Sequence, residues 1–317
     1  MYLTFSAIVS MDALTQLIQL THPQASLELR CQFEGGFSID HERRISGDAP
    51  FHLVLAGTCI VKPKRGPALT LKAGDFVLFP HGGEHRINAV GKRTQQSAAR
   101  LSHDGMLPLR TIGDSEHADV DLLCGRFDYQ AGAASLLMNA LPDPLHVSLA
   151  DTQAQSLQTL VALIRDEAGR RQPGALAIVT ALSQALLTLA LRTYGEKQDG
   201  AANVLNLLTD ARLRASINAM LEEPARAWTI AELGDLAAMS RATYARHFQG
   251  KAGMTVGEFL TQLRMTLACK LLQETTRSSA DIGMEVGYQS EAAFGKAFAQ
   301  QVGLTPGRYR AKLSTHS

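Results

Sequence analysis

Cysteine is scarce in this 317-residue chain. There are 4, and no two stand in a C-x-x-C pair. That excludes a disulfide-stapled scaffold and a zinc site built from ligands adjacent in sequence, and it fits a reducing cytoplasm. An excess of charge of one sign is also missing. The formal net charge is +1, so the chain as a whole is no general binder of polyanions, and any basic face must be local. From Thr209 onward Lys and Arg exceed Asp and Glu only slightly, which carries no argument by itself. No apolar run is expected to reach the ~18 residues of a membrane-crossing helix. The opening MYLTFSAIVS lacks the basic start and cleavage site of a signal peptide, and reads as an extension before a domain that begins near Met11. What remains is ordinary: 45% hydrophobic and 19% charged residues, a soluble globular composition long enough for two domains and a large core.

One repeat is present, near the C-terminus, between Trp228 and Tyr309. Each half is a short helix, a tight break, and a second helix opened by serine. In the first half Ile230, Leu233, Leu236 and Ala237 share a helix face. Met239 closes the turn and Ser240 caps the next helix, which buries Tyr244 and Phe248. In the second half Ile282 and Val286 lead to Gly287, and Ser290 caps a helix that buries Phe294 and Phe298. Two helix-turn-helix units in tandem account for this pattern. Between them Phe259, Leu260, Leu263, Leu267 and Leu271 recur with helical period. A helix of about 18 residues spans roughly 27 Å. With the width of its flanking units, it sets the two second helices about one DNA turn, ~34 Å, apart.

These residues carry a resemblance. Trp228-Thr229, Leu236-Ala237, Met239-Ser240-Arg241, Arg264-Met265, Val286-Gly287-Tyr288, Pro306 and Tyr309-Arg310, all in register, resemble the DNA-binding domain of AraC/XylS-type transcription regulators over about Arg212 to Arg310. The resemblance implies promoter DNA as partner, with RNA polymerase beside it. It places Ala242, Ala245 and Arg246 of the first reading helix, and Glu291, Ala292 and Lys296 of the second, at base edges. Arg246 suits a bidentate contact to guanine. Glu291 either accepts from a cytosine amino group or repels phosphate. Arg241 and the N–H groups behind Ser240 and Ser290 are phosphate contacts. The bland alternative for all of these is a solvated helix face. Gly234 and Gly283 depart from the pattern, standing where a better helix former is usual, at a cost of up to ~1 kcal/mol each.

Ahead of this region the text changes. MDALTQLIQL reads as a short amphipathic helix through Leu14, Leu17 and Ile18. LELRCQF, FHLVLAGTCIV, LTLKAGDFVLFP and VDLLCGRFDY read as strands of a small barrel or jelly roll. Residues 88–118 read as a long mobile loop. Phe51-His52, Gly57, Ala73-Gly74-Asp75, Pro80, Gly82, His85 and Leu122-Leu123-Cys124-Gly125 resemble the cupin sensor half of some AraC-type regulators. Two helices follow, broken at Pro173-Gly174. One carries Leu157, Leu160, Val161 and Ile164; the other carries Leu176, Val179, Leu182, Leu186, Leu187 and Ala190. This hairpin either forms a homodimer face or packs on its own barrel. GEKQDGAA, 195–202, reads as linker.

The barrel offers two constellations. His81, Glu84, His85 and His52 suggest a metal, but catalytic cupins use an H-x-H pair, a Glu and a later His. Here the first motif is reduced to His52. We therefore expect no metal and no cofactor, with His52 and His85 in an effector pocket. Cys31 and Cys124, with the MDALTQLI start, resemble a reactive-chlorine-sensing branch of the family in which two cysteines are oxidised. A redox signal, a small organic effector, or neither remains open, and Cys59 and Cys269 read as core filler. The expected architecture is α+β and multidomain. A cupin-like β-barrel with helical hairpin occupies 1–197, a linker 198–206, and an all-α domain with two helix-turn-helix units 207–317. The expected function is a cytoplasmic DNA-binding transcription regulator, an activator in the resembled branch. The alternative is a cupin metalloenzyme fused to a DNA tether.

Overall fold

The computed structural model describes residues 11–314 apart from 45–46, 92–97, 104–105, 115–116, 130–134, 149–154, 171 and 198–201. The extension 1–10 and residues 198–201 of the expected linker lie outside these residues. The chain divides into two compact units, Pro23–Asp199 and a second that joins the residues up to His22 to those from Gly200 onward.

The N-terminal helix α1 (Ala13–Thr21) is opened by Asp12, whose carboxylate accepts the Thr15 N–H. Ala13, Leu17 and Thr21 form its buried i, i+4 row. Although it precedes the barrel in sequence, α1 packs in the unit of the C-terminal helices. Periodicity marks a face for burial without naming the partner, which is why the sequence assigns α1 to the barrel.

The barrel unit runs through β1 (Gln24–Phe33), β2 (Ser38–His41), β3 (Asp48–Pro63), β4 (Leu69–Lys72), β5 (Phe76–Leu78), β6 (His85–Ala89), β7 (Arg100–Ser102), β8 (Leu109–Ile112) and β9 (Val120–Asp128). A single turn α2 (Ser135–Met138), β10 (Leu145–Val147) and the hairpin α3 (Gln155–Arg170) and α4 (Ala175–Lys197) complete it. The long strand β3 organises the unit. Its first half is continuously buried and pairs with β9 and β5. Its second half alternates buried and exposed residues and pairs with β4 and β6. One strand thus belongs to both sheets and closes a half-barrel over Phe33, Phe37, Val54, Leu71 and Phe79. The corner is Gly57, at φ +81°, where a Cβ would sit 1.8 Å from the Asp119 carbonyl oxygen, so only glycine passes there.

Two expectations are corrected here. The described parts of 88–118 are not simply loop, because β8 pairs in parallel with β1 and β7 pairs with β8. Strands of three or four residues are too short for a period to register. The membrane-length expectation also fails. Ala175–Glu196 is long and apolar enough to cross a membrane by length and composition. In this unit the helix packs on α3, β1 and β10, with Val179, Leu186, Leu187 and Ala190 fully buried.

The other unit comprises α5 (Val204–Thr209), α6 (Arg214–Glu222), α7 (Ile230–Leu236), α8 (Arg241–Ala252), α9 (Val256–Glu274), α10 (Ser279–Glu285), α11 (Glu291–Val302) and α12 (Pro306–Ser314). Because α5 begins at Val204 with Asn203 as its cap, helix takes over the last residues read as linker. The central rod is α9, with α8, α10, α11, α12 and α1 packed around it. This all-round packing buries Met265, Ala268 and Cys269 along with Phe259, Leu260 and Leu263. Two arginines fasten the rod's surroundings in matching ways. Arg264 donates to the Pro224 and Arg226 carbonyls, and Arg310 to those of Leu272 and Arg277. Each clamp holds the chain just ahead of a helix-turn-helix unit.

The two glycines that look like weak helix formers are required by packing. A Cβ on Gly234 would lie 2.8 Å from the Met239 carbonyl oxygen, and one on Gly283 would lie 2.9 Å from Phe294 Cγ. The first helix of each unit presses on its turn or its second helix there. Gly234→Ala is therefore expected to lower the unfolding free energy despite its gain in helix propensity of ~1 kcal/mol. A urea melt of the two proteins checks the sign.

Candidate DNA-reading helices and sensor core

Both second helices start and stop in the same way. Ser240 Oγ accepts the Thr243 N–H at 3.3 Å, and Ser290 Oγ accepts the Ala293 N–H at 3.2 Å. Gly253 and Gly303 end α8 and α11 in the left-handed conformation. The inner faces are anchored by Tyr244 with Phe248 and by Phe294 with Phe298, all fully buried. The Tyr244 hydroxyl donates to Ser216 Oγ at 3.0 Å. With the inner faces fixed, the outer faces are determined. Arg241, Ala242 and Arg246 on α8 are exposed and Ala245 is half-buried, while Glu291, Ala292 and Lys296 on α11 are exposed. Among the described residues Arg246 makes no ion pair, whereas its neighbours His247 and Lys251 are both held by Asp210, at 3.1 and 3.4 Å. A guanidinium left unengaged on an outward helix face has all its donors available.

Leu236, which keeps the helical spacing of Ile230 and Leu233 on α7, is 45% exposed, and Met284 of α10 is 61% exposed. The first helices of both units present an apolar side chain to solvent.

In the barrel, Cys31 on β1 and Cys124 on β9 are near neighbours. Cys31 pairs with Leu122 and Leu29 with Cys124, so the two cysteines are diagonal on one face of an antiparallel pair. Both are free thiols inside the barrel core. Contact with Cys31, then burial, pushes the Cys124 thiol well above its ordinary range. Diagonal partners have Cα atoms about 7–8 Å apart, beyond the span of a relaxed disulfide. A bridge therefore needs a small slide of β1 on β9, and the register already slips between Leu27 and Leu29. Next to Cys31, Arg30 forms a two-pronged pair with Asp121 and donates to the Ala168 carbonyl of α3. Any slide of β1 is thereby felt by the hairpin. Cys59 and Cys269 are buried and each is pushed up to about 12, mainly by that burial.

The histidine set divides. His52 and His85 meet, Nε2 to Nε2 at 2.8 Å, and His52 Nδ1 lies 3.1 Å from Cys124 Sγ. His81 instead faces Asp143 at 3.5 Å and Glu84 binds Lys64. The third member of the cluster is His41, which the sequence reading leaves out. It stacks on His85 with ring centroids 4.6 Å apart and lies edge-on to His52. Its inward position follows from the alternation Ile39, His41 along β2, a signal only two residues long. A cavity of about 520 Å³ opens onto His41, His52, His85, Arg110 and Cys124. Burial holds all three imidazoles neutral, with His41 lowered to about 3 and His85 to about 4. Unfolded histidine takes up a proton near pH 6.5. The folding stability these rings support is therefore complete above about pH 6.5 and lost as pH falls toward 4. The thermal midpoint of the barrel unit is expected to drop through that window, and His41→Ala to shrink the drop.

A sensor-sized barrel with a buried polar pocket, joined to two capped helix-turn-helix units, defines a DNA-binding transcription regulator. Residues 12–196 match the Cupin family and residues 233–312 the Helix-turn-helix domain family. An uncharacterized HTH-type transcriptional regulator of Haemophilus influenzae is 35% identical over 304 residues, covering 96% of this chain and all of that one. The HTH-type transcriptional regulator MtrA of Neisseria gonorrhoeae is 31% identical, covering 95% of this chain and 98% of that one. The RCS-specific HTH-type transcriptional activator RclR of Escherichia coli is 30% identical, covering 96% and 98%. The chain belongs to the AraC family of helix-turn-helix transcription regulators with an N-terminal cupin domain.

Proposed function

We propose that this regulator senses a reactive chlorine oxidant through Cys31 and Cys124 and passes the signal to promoter-bound α8 and α11. The observation that carries the reading is the diagonal placement of two free core thiols on paired strands. Its RclR relative bears an RCS-specific name. Cys124 lines the cavity and Cys31 does not, so the oxidant meets Cys124 first and Cys31 resolves the product. Two thiols and one hypochlorous acid give a disulfide, water and hydrochloric acid; the sulfurs lose two electrons and the chlorine gains them. Closing the bridge drags β1, and with it the Arg30 hold on α3. The sensor unit governs the reading unit across two chain crossings, at His22–Pro23 and in the linker region 198–206.

On the DNA side, Arg246 reads a guanine, and Ala242, Ala245, Ala292, Glu291 and Lys296 meet neighbouring base edges. Arg241, Ser240 and Ser290 position the helices on phosphate. Arg246→Ala is expected to weaken specific binding by ~1–3 kcal/mol and to relax selection at one base pair, as a binding titration over a randomised operator would report. Exposed Leu163, Leu176 and Ile178 on the hairpin form the face on which we place homodimerisation. RNA polymerase is the further partner of an activator, and the cytoplasm is where both are met. The test of the sensing step is peptide mapping after hypochlorite treatment. A Cys31–Cys124 linked peptide supports it. Unreacted thiols at an oxidant dose that switches the promoter contradict it and favour a small effector in the His52–His85 cavity.

A further inference from the structure

We propose that His41, His52 and His85 form a binding site for one divalent transition-metal ion of the zinc and copper class at the floor of the barrel cavity. One nitrogen from each ring lies within 4.8 Å of the others. Imidazole nitrogens around a four-coordinate ion, each about 2.0–2.1 Å from it, sit about 3.3 Å apart, so adjustments on the order of 1 Å complete the set. The donors come from three strands: His41 on β2 is the register partner of His85 on β6, and His52 lies in the half of β3 that pairs with β5 and β9. Strand pairing therefore fixes the backbone behind each ring.

The hydrogen bonds fix which nitrogens face the ion. His85 Nδ1 lies 2.8 Å from the Gly83 carbonyl oxygen. A carbonyl only accepts, so Nδ1 carries the proton and Nε2 presents a lone pair. This is the outer support typical of a metal-ligating histidine. His52 Nε2 meets that lone pair, so it holds the proton that the two rings share. An ion takes the place of this proton. His52 then carries its hydrogen on Nδ1 and donates it to Cys124 Sγ, reversing that hydrogen bond. The third ligand, His41, is half-buried and lines the cavity. It turns out of its stack on His85 to bind.

The donor set selects the ion. Three imidazoles with no carboxylate suit zinc, copper, nickel or iron and disfavour magnesium and calcium, with copper and zinc holding most tightly. The cavity of about 520 Å³ above the rings is the entry path and leaves a fourth position for water or a small ligand. His41 lies outside the H-x-H, Glu and later-His pattern of catalytic cupins, so that motif does not reveal this set. The ion needs neither thiol as a ligand, since Cys124 touches His52 on the nitrogen facing away from the ion.

The test uses the full chain after chelator treatment, titrated with cobalt(II) for its visible spectrum and with zinc(II) against a chromophoric chelator. We expect one ion per chain, with X-ray absorption showing three nitrogen neighbours at about 2.0–2.1 Å. His41→Ala should weaken zinc by about tenfold or more. His81→Ala, outside the cluster, should leave affinity unchanged, and Cys124→Ala should leave the ion bound. Substoichiometric uptake by protein with native circular dichroism overturns the proposal. So does His41→Ala binding zinc as tightly as the parent, or cobalt in a site of oxygen ligands only. A lost oxidant response with zinc still bound would strike the oxidant reading alone.

Discussion

Cys31→Ala with Cys124→Ala should abolish promoter induction by hypochlorite while the reduced double variant still binds its operator. The expectation rests on where the two sulfurs sit. They share one face of a β1–β9 pair in the barrel core, far in sequence from α8 and α11, so their loss is expected to remove the proposed switch and leave the proposed reading helices intact. Alanine at either site deletes a small buried group, at a cost of ~1 kcal/mol or so, small against the ~5–15 kcal/mol of a typical domain. Single variants should separate the roles. Cys31→Ala should still be oxidised at Cys124, because that residue lines the cavity, but should not lock the strands. A reporter assay with thiol mapping on all three variants reads both outcomes. Full induction in the double variant would remove the cysteines from the account.

Phe294→Ala should cost ~3–5 kcal/mol, the largest single effect expected in the reading unit. Phe294 is fully buried, lies tilted against Phe298 and Tyr288 with ring centroids 5.6 and 5.8 Å away, and is the ring against which Gly283 is pressed. Removing it empties the junction of α10 and α11, and the packing there is too close for neighbours to fill the space. The second helix-turn-helix unit should then lose amide protection, while the first keeps the anchor of Phe248 on Phe259. Hydrogen exchange by segment distinguishes this local loss from global unfolding. Equal protection in both units would contradict the packing described for α11.

The reading unit was legible because its signals are local and repeated. Caps, turn residues and i, i+4 aromatic pairs each act within one turn of helix, and they occur twice. The outward placement of Arg246 and Lys296 follows from the inward placement of Phe248 and Phe298. What escaped depends on partners distant in sequence. Gly234 and Gly283 look like poor helix formers until Met239 and Phe294 are seen against them. α1 shows an apolar stripe, but not that α5, α6 and α9 cover it. Leu236 keeps the helical period yet faces water. In the barrel, His81 and His85 are four apart in sequence and part ways in space, because one precedes the strand and the other begins it. His41 joins His52 and His85 only through pairing of β2 with β6, a contact that no spacing announces.

In the proposed mode of binding, α8 and α11, set on the rod α9, enter two major grooves on one face of a duplex. The rod has 19 residues, about 28 Å of helix. Base-by-base methylation interference on the operator tests this directly. Two patches of major-groove contact about 10–10.5 base pairs apart on the same face are expected, with Arg246→Ala erasing a guanine from one patch and leaving the other. A single patch, or two on opposite faces of the helix, would contradict it.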